Sequence, residues 1–157
     1  MKMPELRNRI NKDELKARLA QENIERVTFS FYRYVKIENP KELRDQLFID
    51  WTSFNCFGRI YVAHEGINAQ MSIPKENWDN FVALLYKDER FNNIPFKIAV
   101  DGNGKSFYKL IIKVKEKVVA DGINDPDFNA SNTGAYLNAE GFNKAIEDPN
   151  TIVVDMR

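Results

Sequence analysis

A chain of 157 residues, 43% hydrophobic and 12% aromatic, is long enough for one domain with a buried core and too apolar for a disordered segment. Its 23 basic and 23 acidic residues cancel, so no overall field draws it to nucleic acid or an anionic membrane, and any such binding must come from a local patch. A single cysteine excludes an internal disulfide and a multi-cysteine zinc site, and no stretch approaches the roughly 20 apolar residues of a membrane helix. The opening MKMPELRNRINKDELK lacks the apolar run of a signal peptide. A cytoplasmic protein with no membrane contact is therefore the expectation, and the sequon Asn129-Ala130-Ser131 carries no weight.

Residues 1–25 read as a basic N-terminal arm and a short helix, with Asn11 and Glu14 at capping-box spacing and Leu15 and Leu19 as a narrow apolar stripe. RVTFSFYRYVKI (26–37) is β-branched and aromatic, with Val27, Phe29, Phe31, Val35 and Ile37 on one face and Arg33 interrupting it; it predicts a strand. Asn39 as cap, Pro40 at the first helical position and Glu42 at the third start a helix, which Gly58 is expected to stop. Leu43, Leu47, Trp51 and Phe54 form its apolar face. RIYVA and INAQMSI then bracket His64-Glu65-Gly66 as two strands about a tight turn. Pro74 opens a further helix with Trp78, Phe81, Val82 and Leu85 buried, and 95–119 reads as two strands joined at Asp101-Gly102-Asn103-Gly104. The order predicts an α+β fold over residues 26–120: a ferredoxin-like, acylphosphatase-like split βαβ antiparallel sheet with two helices on one face. Residues 121–157 read as a polar linker, a short helix within AEGFNKAIEDPN and a strand of buried type, TIVVDMR.

Few residues carry chemistry. His64 and Glu65 are neighbours on extended backbone, so their side chains diverge and do not form a histidine–carboxylate pair with each other. With Asn68 they are candidates for a turn or an interdomain contact, ligand contact being the alternative. GNGKS (102–106) is no phosphate loop: position 99 is Ala where the motif needs Gly, and a strand rather than a helix follows. Lys109, Lys113, Lys115 and Lys117 share one face of the last strand, opposite Leu110, Ile112, Val114 and Val118. They are either a solvated edge that discourages aggregation or a cationic stripe for a phosphate backbone, joined by Arg7, Arg9, Lys12 and Lys16. Cys56, with no neighbouring cation in FNCFG, reads as a buried inert thiol. Asp155 and Arg157 are placed to pair with each other or to join a domain junction. No metal cluster and no nucleophile–base set is visible in the sequence.

TFSFYRYVKIENP, FGRIYVAHEGINAQMSIP, DGNGKSFYKLIIKVKEKVVADGI, DFNASNTGAYL and VVDMR together resemble the N-terminal part of the bacterial tRNA wobble-uridine hydroxylases, also described as rhodanese-related proteins. The likeness runs from Pro4 to Arg157. It implies an oxidoreductase of tRNA modification that makes 5-hydroxyuridine at the wobble position, with molecular oxygen as co-substrate, no identified cofactor and tRNA as partner. It also implies an acylphosphatase-like domain followed by a rhodanese domain that holds the active cysteine; residues 121–157 would then be a linker and the first strand of that domain. Nothing in this chain matches the cysteine, and the role does not pass to Cys56. Acylphosphatase chemistry is not implied, because YVKIENPKEL lacks the glycine-rich phosphate cradle after the first strand. The resemblance leaves two roles for this segment: positioning tRNA with Lys109, Lys113, Lys115, Lys117, Arg7 and Arg9, or packing structurally against the rhodanese domain without touching RNA.

Overall fold

Alternating large apolar and polar residues make β1 (Arg26–Tyr34) a strand with one buried face, and the rest of the sheet is assembled around it. The computed structural model describes residues 6–100, 105–118, 123, 125, 132 and 134–155. It adds α1 (Lys12–Gln21), α2 (Pro40–Ser53), β2 (Phe57–Ala63), β3 (Gly66–Pro74), α3 (Trp78–Leu85), β4 (Lys97–Ile98), β5 (Leu110–Val114) and α4 (Ala139–Ile146). Two units separate at 123/124: Met1–Ile123 holds the sheet, and Asn124–Arg157 holds α4.

The sheet order is β4-β1-β3-β2-β5. The first four strands pair antiparallel, as the split βαβ reading expects. β5 runs parallel to β2, so the sheet is mixed rather than antiparallel throughout. The expected hairpin between the last two strands does not form: β4 lies on β1 and β5 on β2, at opposite edges. A Gly-rich turn signal marks a change of chain direction but does not choose a partner, and here the two free edges already present did so. Residues 101–104 of that turn, the sequon at 129–131 and Arg157 lie outside the described residues.

One face of the sheet carries Phe29, Phe31, Ile60, Val62, Ile67, Ala69, Met71, Ile73, Leu110 and Ile112, all buried in one cluster with Leu43, Leu47 and Trp51 of α2 and Phe81 and Leu85 of α3. Phe29 sits edge-on to Trp78 at 4.8 Å and to Phe81 at 5.4 Å, geometry that favours aromatic pairs beyond the area they bury.

Helix ends differ from expectation in informative ways. Asn39 caps α2 as anticipated, its Oδ1 accepting from Glu42 N at 3.4 Å and its amide donating to Glu42 Oε2 at 2.9 Å. Asn11 instead accepts from Asp13 N at 2.8 Å, while Glu14 pairs with Arg18 at 2.6 Å, so no capping box closes there. Gly58 does not stop α2. That task falls to Asn55, at φ 55°, with Cys56 N bonded to Trp51 O and Asn55 N to Thr52 O, a Schellman closure. Gly58 lies inside β2, where an added Cβ would stand 2.9 Å from Met71 Cα of the next strand. Pro74 ends β3, and a single 3-10 turn (Lys75–Asn77) precedes α3.

Within the second unit, Asn138 caps α4 by accepting from Gly141 N at 2.8 Å. Residues 151–155 are not the expected strand. They carry no regular structure, and Ile152, Val153 and Val154 are exposed, because a strand needs a neighbour to satisfy its backbone and none of the described residues supplies one.

Candidate nucleic-acid interface

The β2–β3 hairpin turns on His64 and Glu65, with Ala63 paired to Gly66. Both turn residues are tied down, to different places. His64 Nδ1 donates to Ile37 O at 2.9 Å and its carbonyl accepts from Ile37 N at 2.8 Å. Glu65 Oε1 accepts from Val118 N at 2.7 Å and its carbonyl from Val35 N at 2.9 Å. The turn therefore staples the end of β1 and the segment after β5 to the middle of the sheet, and the two side chains do not meet. Asn68, grouped with them from sequence, is not in the turn: it lies within β3, on the sheet face away from α2 and α3.

That outer face is where the basic residues gather. Pairing aligns Lys97, Ser30, Gln70, Arg59 and Ile111 in one row across the strands, and Tyr32, Asn68, Tyr61 and Lys113 in the next. Of the lysine candidates, Lys113 and Lys115 are exposed on this side, and Lys115 Nζ stands 5.7 Å from the centre of the Tyr61 ring. Lys109 is half-buried, with Nζ 5.7 Å from the Tyr108 ring, and Lys117 donates to Ile123 O. Arg7 is brought near Lys109 and Lys113 around a cavity of about 360 Å³ that Arg44 and Phe48 also line. Arg9 is exposed on the approach to α1, and in α1 Lys16 lies 5.8 Å from the Tyr108 ring. Arg59, Lys97, Tyr32 and Tyr61 were missed in the sequence. Each alternates with a core residue, so the faces of single strands were legible, but their assembly into one surface depends on strand order.

The two ends of the outer face differ. At one end Arg26 is buried, its guanidinium donating to Glu22 Oε1 at 3.0 Å, Asn55 O at 2.5 Å and Ser72 Oγ at 3.3 Å, and lying over the Phe57 ring at 4.1 Å. Burial lowers its pKa, against the opposing pull of Glu22. At the other end Val118 is buried and lines an open cavity together with Tyr34 and Asn68.

Cys56 corrects one sequence inference. A cation does stand near it, Arg26, brought from β1, but burial outweighs that charge and pushes the thiol up to about 12. Native protein at pH 8 is expected to resist alkylation by iodoacetamide and to react only on unfolding; labelling at the native rate of a free thiol would contradict this. With its folded pKa above the ordinary thiol value, Cys56 contributes stability below that ordinary value, and loses the contribution as pH rises towards 12.

Among the described residues, no group of three or more His, Cys, Asp or Glu is placed to hold a metal ion, and no helix is long and apolar enough to cross a membrane. The fold and this face define an acylphosphatase-like α+β module with a basic, tyrosine-bearing sheet surface. The acylphosphatase-like domain of the UPF0176 family matches residues 26–118, and the chain belongs to that family. The tRNA uridine(34) hydroxylases of Escherichia fergusonii and Leptospira interrogans are 51% and 52% identical to it over 99% and 97% of this chain. The chain spans 45% and 41% of their lengths, less than half of either. A solved BLUF protein, BlrB in its dark state, overlaps with a TM-score of 0.43 at 13% identity, across 58% of this chain and 74% of that one, too slight a likeness to bear on function.

Proposed function

We propose that this chain is the N-terminal part of a cytoplasmic tRNA uridine(34) hydroxylase, and that its acylphosphatase-like domain engages the tRNA substrate. The observation that carries the reading is the half identity, along nearly the whole chain, to relatives bearing that name. The exposed Lys113 on the edge strand β5 and Lys115 just after it support the finer part, since ammonium groups on a solvated face suit a phosphate backbone. In this reading residues 121–157 lead into a rhodanese domain that carries the chemistry, and Cys56, buried and protonated, is not the catalytic thiol. The test is tRNA affinity measured across salt concentrations. Lys113→Glu with Lys115→Glu is expected to weaken binding and to make the salt dependence shallower by about one to two units of log–log slope. If affinity and slope both stay at the parent values, the lysines serve only solubility.

A second reading, a module that packs against the rest of a longer chain without touching RNA, is favoured by the exposed Tyr136, Leu137, Phe142, Ile146 and Val154 of the second unit. It expects no salt-sensitive tRNA binding at all.

A further inference from the structure

Cations alone do not account for the outer face of the sheet. Its strand positions hold the tyrosines 32, 34 and 61, the amides 68 and 70, and Arg59, Lys97 and Lys113, with no acidic residue among them. In a chain whose charges cancel, that is a segregated field. Tyr32 is 52% exposed, whereas Phe29 and Phe31, its neighbours along β1, are fully buried on the opposite side. A large ring left in solvent on a strand adds little to packing, so its position asks for another partner. Each of two rings also has a cation over one face, leaving the other for a partner: Lys97 Nζ is 5.9 Å from the centre of Tyr32, and Lys115 Nζ is 5.7 Å from that of Tyr61. Only β3 separates the two tyrosines, which puts their backbone positions about 10 Å apart. Asn68 stands between them, and a cavity of about 310 Å³ opens where it meets Tyr32 and Tyr34.

We infer that this face binds unpaired RNA nucleotides, with bases stacked on Tyr32 and Tyr61, the Asn68 amide on a base edge, and Arg59, Lys97, Lys113 and Lys115 on phosphates. The inference rests on the tRNA reading above and narrows it to a single-stranded region. Bases inside an A-form stem cannot turn a face to the rings, while loop bases can splay onto them. Aromatic platforms flanked by cations bind single strands in this way, and an amide that both donates and accepts suits the edge of a base.

The 157-residue chain is titrated with an RNA hairpin bearing an unpaired uridine-containing loop, and with the same stem as a blunt duplex, at several salt concentrations. The hairpin is expected to bind more tightly than the duplex. Tyr32→Ala and Tyr61→Ala are each expected to weaken the hairpin complex on the order of tenfold without altering its salt slope, while Tyr32→Phe and Tyr61→Phe stay within about twofold of the parent. The phenylalanine variants keep the ring and also guard against misfolding as the cause. Equal affinity for hairpin and duplex, or alanine variants that bind like the parent, overturn the stacking surface; the tRNA reading then still stands on the response of Lys113 and Lys115. If no RNA binds at any salt concentration, both fall, and the face is one that protein covers.

Discussion

Gly66→Ala is expected to destabilise the domain by about 3 kcal/mol or more. Gly66 opens β3 at φ 151°, a conformation that side chains rarely adopt, and an added Cβ would overlap Arg33 O and stand 3.0 Å from Tyr34 Cα. The neighbouring backbone cannot give way cheaply. Tyr34 is paired to Gly66 in the ladder, and Val35 N and Ile37 N are bonded to the carbonyls of Glu65 and His64. The close approach of β1 to the turn is what lets His64 and Glu65 hold three segments at once. Urea unfolding measures the effect through the shift in midpoint at constant m-value. Gly134→Ala, where an added Cβ meets nothing within 4 Å, is the control and is expected to change stability by no more than about 0.5 kcal/mol. Equal midpoints for the two variants would show that the turn tolerates a side chain and that this account of the hairpin is wrong.

Glu22→Gln is expected to cost roughly 3 kcal/mol, because it strips the counter-charge from a guanidinium whose side chain is wholly buried while Glu22 remains partly solvated. Asn55 O, Ser72 Oγ and the Phe57 ring continue to hold Arg26 in place, so the charge cannot escape to water. Arg26→Met removes the charge and leaves Glu22 to turn outward, at the expense of an unpaired Asn55 carbonyl. The double variant Arg26→Met with Glu22→Gln should therefore be less damaged than the sum of the singles, a coupling that a double-mutant cycle reads directly. Strict additivity would mean that Glu22 contributes nothing to holding the buried cation.

Much of the local structure was legible from residue order. The alternation Val27, Phe29, Phe31 and the cap Asn39-Pro40-Glu42 are interactions among residues a few positions apart, and each element formed where they indicate. The errors share one cause. Gly58 has the chemistry of a helix stop, but whether a glycine ends a helix or admits a neighbouring strand depends on Met71, thirteen residues on. Cys56 shows no cation nearby in sequence, yet the charge of Arg26, thirty residues earlier on β1, acts on it.

Residue order alone was enough for the succession of strands and helices between residues 26 and 118, the inward face of β1 and the resemblance to a family. Local spacing sets those, through periods of 2 and 3.6 residues. Which strands adjoin was settled by long-range pairing in the folded sheet. That pairing sent β4 and β5 to opposite edges, although the sequence between them carries a Gly-rich turn signal. It also placed Lys113 beside Tyr61, Tyr61 beside Asn68 and Asn68 beside Tyr32, residues drawn from four strands. A surface of that kind depends on long-range pairing, which no local pattern encodes, and so the lysine stripe was visible from the start while the tyrosines that complete it were not.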